Sequence, residues 1–194
     1  MSDHYMTLDE IWAIPKEHYP IFMYCDGGSL FGWLIRMVDK SAASHLQIYI
    51  APQVIASQGL YFKTFPVSHL KGYNTKMIWN PAWTPEERKT MIDFINCRLA
   101  LPWWKTLYDV PGVIGEALNW EWLQVKKWDF CSEAVARVLM LIDSSFALWL
   151  IDNPSPTPRE FNLWTKAHNP PYEVYGRYSP DDEEKATDGT RARG

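Results

Sequence analysis

Apolar and polar positions along the chain fall into short blocks whose spacing sets out strands and helices in turn. Ile21-Phe22-Met23-Tyr24 is an apolar run of strand length, and Cys25-Asp26-Gly27-Gly28 after it reads as a turn. Ser29 is placed to cap a helix with Leu30, Leu34, Ile35 and Val38 on one face. From Ser44 to Ile50, Leu46, Ile48 and Ile50 alternate with Gln47 and Tyr49, the pattern of a half-buried strand that begins at His45. Ala51-Pro52-Gln53 turns the chain into a second strand, Val54 to Ser57, which Gly59 to Phe65 can extend. Thr84-Pro85-Glu86-Glu87 is a helix start with a capping box, and Ile92, Ile95 and Leu99 repeat along one face until Pro102 ends the run.

Trp103, Trp104, Tyr108, Trp120, Trp122 and Trp128 bracket a long connection, part of it helical from about Pro111 to Leu118. A second amphipathic helix follows, with Cys131 at its start and Ala134, Val135, Val138 and Leu139 on its buried face. Phe146 to Ile151 reads as a strand or a buried helix, and Pro154 to Pro158 as a rigid extended segment with a short helical turn, Arg159 to Trp164, after it. Residues 1–20 read as an arm in which Leu8, Ile11, Trp12 and Ile14 make one amphipathic turn ended by Pro15. Past Ser179 the chain becomes polar and is expected to be disordered. The expected organisation is an arm (1–20), one α+β domain (21–178) and a tail (179–194).

Composition narrows the function classes. The 194 residues suit a single domain with a full core. A net charge of −4, a pI near 5.7 and no basic run argue against nucleic-acid binding. No apolar run reaches transmembrane length, and the N-terminus lacks a signal-peptide pattern, so a cytoplasmic or phage-associated setting is expected. Cys25, Cys97 and Cys131 form no disulfide-scaffold spacing. With His45 and His69, Cys25 and Cys97 match no zinc pattern, and neither metal nor cofactor is expected. The 11 tryptophans point to an aromatic core or a recognition surface.

The chemistry centres on Trp128-Asp129-Phe130-Cys131-Ser132-Glu133. A thiol at a helix N-terminus meets unpaired backbone N–H groups and the positive end of the helix dipole, both of which favour the thiolate. The same N–H groups can hold an oxyanion. The plain alternative is a small buried packing residue. His45 is likewise either a base or a strand-edge histidine without a task.

The order of these parts resembles the circularly permuted branch of the NlpC-type cysteine peptidases, the YiiX-like and LRAT-like proteins of papain-like fold. The resemblance runs over about residues 21–165: the strand and turn at Phe22 to Gly28, Ser44-His45 before an alternating strand, Val54-Ile55-Ala56-Ser57, Ala100-Leu101-Pro102-Trp103, the aromatic–x–Cys-Ser-Glu of Trp128 to Glu133, and Thr157-Pro158. It implies a permuted papain-like α+β fold with a small antiparallel sheet against the cysteine helix. It also implies a thiol hydrolase of amides or esters, acting on peptide, peptidoglycan or lipid substrates. Cys131 is then the nucleophile and His45 the general base. The family's third residue, Glu or His, falls on Ala56 here; Gln58, two residues on, is the candidate replacement, and Ser57 serves only if the register slips by one. Tyr24, Asp26, Trp103 and Trp128 are the candidate substrate-binding residues. The competing reading is a module of this fold that has lost the chemistry and binds a partner or serves as a structural, virion-type protein.

Overall fold

The computed structural model describes residues 4–27, 45–52, 54–58, 61–107, 131–153, 156–168 and 172–181. These build an α+β fold around one antiparallel sheet of six strands. In chain order the strands are β1 (Ile21–Gly27), β2 (His45–Ala51), β3 (Val54–Gln58), β4 (Phe62–Pro66), β5 (Tyr73–Trp79) and β6 (Glu173–Tyr178). Their order across the sheet is β4-β3-β2-β1-β5-β6. The described helices are α1 (Leu8–Trp12), α2 (Pro85–Leu99), α3 (Cys131–Leu139), α4 (Ser144–Asp152) and α5 (Pro158–Ala167).

Strand alternation divides the apolar residues between two layers. Phe22, Tyr24, Leu46, Ile48, Ala56, Phe62 and Ile78 join Met91 and Ile95 of α2, the buried face of α3, Phe146 of α4 and Phe161 of α5 in one core. Ile21, Met23, Cys25, Tyr49, Ile55 and Met77 join Leu8, Ile11, Ile14, Val67 and Leu70 in a second core on the other face. Each fully buried aliphatic side chain contributes about 1.5–3 kcal/mol.

Several sequence expectations change, but the amphipathic turn of the N-terminal arm is present as α1, packed on the sheet. Thr7 and Glu10 close a capping box on α1, Leu8 and Ile11 are buried, and the Tyr49 hydroxyl donates to the Ile11 carbonyl at 3.0 Å. Cys25-Asp26-Gly27 is not a turn but the end of β1, paired with β5. Val54 to Phe65 is not one strand: β3 and β4 pair antiparallel. Phe146 to Ile151 lies in a helix that is only partly buried, since Leu148 and Ile151 are exposed. The short turn after Pro158 is the ten-residue α5, started by a Thr157–Glu160 capping box. The expected helices after Ser29 and Pro111 and the tail from 182 onward lie outside the described residues.

The sequence-read capping box at Thr84 is present, with Pro85 in the first turn of α2. Behind it, Arg88 ties α2 to its surroundings: its guanidinium donates to the carbonyls of His18, Trp83 and Asn80 and stacks on Trp79 and Trp83. Beyond β6, Met6 N donates to Arg177 O and Arg177 N to His4 O, so residues 4–6 run alongside the sheet edge. Gly176 leaves the room that Met6 occupies; a Cβ there would strike its side chain. At the other edge, Phe62 N donates to Thr106 O and Tyr61 bridges Leu107.

Candidate functional site

Cys131 is the first residue of α3 and is buried. The helix lies against the sheet because Ala134, Val135, Val138 and Leu139 face it, and the small Ala134 and Ala136 allow close approach. Cys131 therefore belongs to the core that also holds Tyr24, Leu46 and Ala56.

His45 opens β2, as its sequence position suggests. Its Nε2 lies 2.7 Å from Ser57 Oγ. The residue that holds the ring is thus Ser57, in place of the Gln58 expected from the sequence. The cause is a register shift. β2 and β3 pair Gln47 with Ser57, Ile48 with Ala56 and Tyr49 with Ile55, but Ala51 pairs with Val54, an irregularity between Tyr49 and Ala51. One extra residue in a strand moves every later side chain to the alternate face. Ser57 consequently shares the face of Gln47 and His45, and Ala56 sits in the opposite core. The structure does not describe the Gln58 side chain.

With Nε2 engaged by Ser57, Nδ1 is the ring nitrogen left for a substrate or a thiol. In the tautomer that puts the lone pair on Nδ1, Nε2–H donates to Ser57 Oγ. Burial pushes the His45 pKa down to about 4, and the positive charge of nearby His69 adds to the drop. The imidazole is therefore neutral at physiological pH, the form a general base requires.

Cys25 is the cross-strand partner of His45. Its thiol contacts Thr75 Oγ1 at 3.5 Å, and burial pushes its pKa up to about 12. That thiol stays protonated and unreactive. Cys131 adds to the same rise. Alternation assigns His45 to the sheet face of Cys25 and Gln47, whereas α3 packs on the face of Leu46 and Ile48. Cys131 and His45 each stand at the start of their element.

Tyr24 and Asp26, read as substrate-binding residues, do line a cleft, of about 380 Å³, between the β1-β5-β6 side of the sheet and α5. The Tyr24 hydroxyl is 3.3 Å from Thr165 Oγ1, and burial raises its pKa. Asp26 accepts a hydrogen bond from Asn74 Nδ2 at 3.4 Å. Trp103 is not part of this cleft. It is exposed on a turn, Trp103–Lys105, that leads into the segment beside β4, at the far edge of the sheet. Trp128 lies outside the described residues. Sequence reading missed the cleft's other wall, because β5, β6 and α5 meet there only through long-range pairing.

Among the described residues no group of three His, Cys, Asp or Glu side chains could hold a metal ion, and no helix is long and apolar enough to cross a membrane. No family model matches the chain, and no curated protein matches it.

Proposed function

We propose that the chain is a thiol hydrolase acting on amide or ester bonds, with Cys131 as nucleophile and His45 as base, within a permuted papain-like fold. The observation that carries this reading is the His45–Ser57 hydrogen bond of 2.7 Å, which holds a neutral imidazole by one nitrogen and leaves the other for proton transfer. The position of Cys131 as the first residue of α3 supports it further.

In this mechanism His45 Nδ1 takes the proton from the Cys131 thiol as sulfur attacks the carbonyl carbon. The carbonyl oxygen becomes an oxyanion and accepts from the backbone N–H of Cys131 at the start of α3. Collapse breaks the bond to the leaving group, which receives the proton from His45, and leaves a thioester on Cys131. Water, deprotonated by the same nitrogen, then releases the acid and restores the thiol. Ser57 keeps the ring in one orientation through both proton transfers, a weaker version of the part played by Asn or Asp in Cys–His sites.

A second reading, a binding or structural module without hydrolysis, is favoured by two observations. Cys131 is 3% exposed. Strand alternation also turns His45 toward the face opposite α3.

The decisive experiment measures the pH dependence of iodoacetamide reaction at Cys131, with Cys25 and Cys97 replaced by Ser, in the presence and absence of His45→Ala. The hydrolase reading expects reaction at or below pH 7 that drops about tenfold or more without His45. A single thiol titration near about 8.5, untouched by the substitution, supports the non-catalytic module instead.

A further inference from the structure

Gln47 stands out on the sheet face that holds His45. It is 1% exposed, and among the described residues neither Nε2 nor Oε1 of its amide has a hydrogen-bond partner. A buried amide in that state is costly and calls for a reason. β2 lies between β1 and β3, so Gln47 has two cross-strand partners, Met23 and Ser57. The Met23 side chain has no hydrogen to donate, whereas Ser57 has a hydroxyl. Directly opposed residues of an antiparallel pair point to the same side with Cβ atoms about 4.5–5.5 Å apart, a gap that a glutamine side chain spans. His45 is two residues before Gln47 on β2 and shares that side. Ser57 is thus the side chain that can touch both the imidazole and the amide.

The Ser57 hydroxyl has the complementary need. Ser57 is 2% exposed, its Oγ meets His45 Nε2, and it has no second hydrogen-bond partner among the described residues. A contact between a ring nitrogen and a hydroxyl can run in either direction. In one direction Nε2–H donates to Oγ, the lone pair stays on Nδ1, and the hydroxyl hydrogen must go elsewhere. In the other the hydroxyl donates to Nε2, Nδ1 carries the ring proton, and the outward nitrogen is no longer a base. A hydroxyl hydrogen with no other acceptor favours the second arrangement. An acceptor for that hydrogen favours the first, and Gln47 Oε1 is an acceptor that lacks a donor.

We infer that Gln47 is a positioning residue that sets the tautomer of His45 through Ser57. Rotation of its side chain brings Oε1 to the Ser57 hydroxyl; Ser57 then accepts from His45 Nε2–H, and Nδ1 is left free to take a proton. The consequence for catalysis rests on the hydrolase reading, whereas the tautomer does not. The amide N–H groups of Gln47 remain without an acceptor, a cost to the fold of the kind that functional positions carry.

The test is nitrogen-15 NMR of the ring nitrogens at pH 7, in protein with isotope-labelled histidine. His45 is identified among the five histidines by the signals lost in His45→Gln. The native chain is expected to show the pyrrole-type signal at Nε2 and the pyridine-type signal at Nδ1. Gln47→Met keeps the volume and removes the acceptor, and it is expected to lower the ratio of Nε2–H to Nδ1–H about two- to tenfold, the equivalent of one neutral hydrogen bond. Gln47→Asn keeps a carboxamide and is expected to retain the native ratio. In a Ser57→Ala background, Gln47→Met is expected to change nothing further. A native ring protonated at Nδ1, a ratio unchanged in folded Gln47→Met, or a change of equal size without Ser57 overturns the inference. The iodoacetamide rate at Cys131, with Cys25 and Cys97 replaced by Ser, separates this role from the hydrolase reading. A rate that falls with the tautomer ratio supports both. A shifted tautomer with an unchanged rate upholds the role of Gln47 and counts against the hydrolase reading alone.

Discussion

His45 Nε2 and Ser57 Oγ stand 2.7 Å apart, twelve residues apart in sequence, because an irregularity between Tyr49 and Ala51 shifts the β2–β3 register by one. Ser57 is buried, and its hydroxyl orients the ring only in this register.

Ser57→Ala removes that contact and leaves the imidazole free to turn. A neutral hydrogen bond contributes about 0.5–1.5 kcal/mol net, which converts to a loss of about two- to tenfold. The expected readout is a Cys131 alkylation rate at pH 7 lowered by that factor, with Ser57→Asn retaining most of it. An unchanged rate in a folded Ser57→Ala protein shows that the serine does not serve the imidazole's chemistry.

His45 also predicts a pH dependence of stability. Its folded pKa, about 4, lies below the ordinary value of 6.5, so the unfolded chain binds the proton more readily. The stability that comes from keeping the ring neutral is fully present above pH 6.5 and is lost as pH falls toward 4. The shift corresponds to about 3 kcal/mol at most. Denaturant midpoints between pH 7 and pH 4 are expected to fall more steeply for the native chain than for His45→Gln. Parallel curves would contradict an imidazole held neutral by the fold.

Gln47 lies beside this pair, opposite Ser57, and is buried; among the described residues neither Nε2 nor Oε1 of its amide has a hydrogen-bond partner. A buried amide left unsatisfied costs about 1–3 kcal/mol. Gln47→Met keeps the volume and removes the polar atoms, so it is expected to raise the melting temperature by several degrees. A lower melting temperature means that the amide makes a contact in solution that the methionine cannot replace.

Local chemistry made part of this fold legible. The Thr84–Glu87 capping box, the apolar face after Cys131 and the strand from Leu46 to Ile50 each rest on residues near one another in sequence, and each has its counterpart in α2, α3 and β2, although β2 is buried on both faces rather than half-buried because it lies inside the sheet. What the sequence concealed depends on distant partners. Cys25-Asp26-Gly27 carries turn-forming residues yet stays extended, because β5 supplies hydrogen-bond partners along its length. The helix α4 has an apolar composition yet leaves Leu148 and Ile151 in solvent. The partner of His45 turned on a single irregularity at Ala51, which no periodicity argument locates, so Gln58 and Ser57 could not be told apart by counting. The cleft at Tyr24 needed two strands and a helix whose meeting is invisible until the sheet order is known.

The segments at the two sheet edges have a consequence for how copies of this chain behave in a crowded solution. An open edge strand is a template on which another chain can add, the first step toward aggregates. Residues 4–6 shield part of β6, and Thr106 and Leu107 shield the start of β4. By covering those edges, these short irregular pieces act as guards against runaway self-assembly, and one of them is seated where Gly176 admits the Met6 side chain.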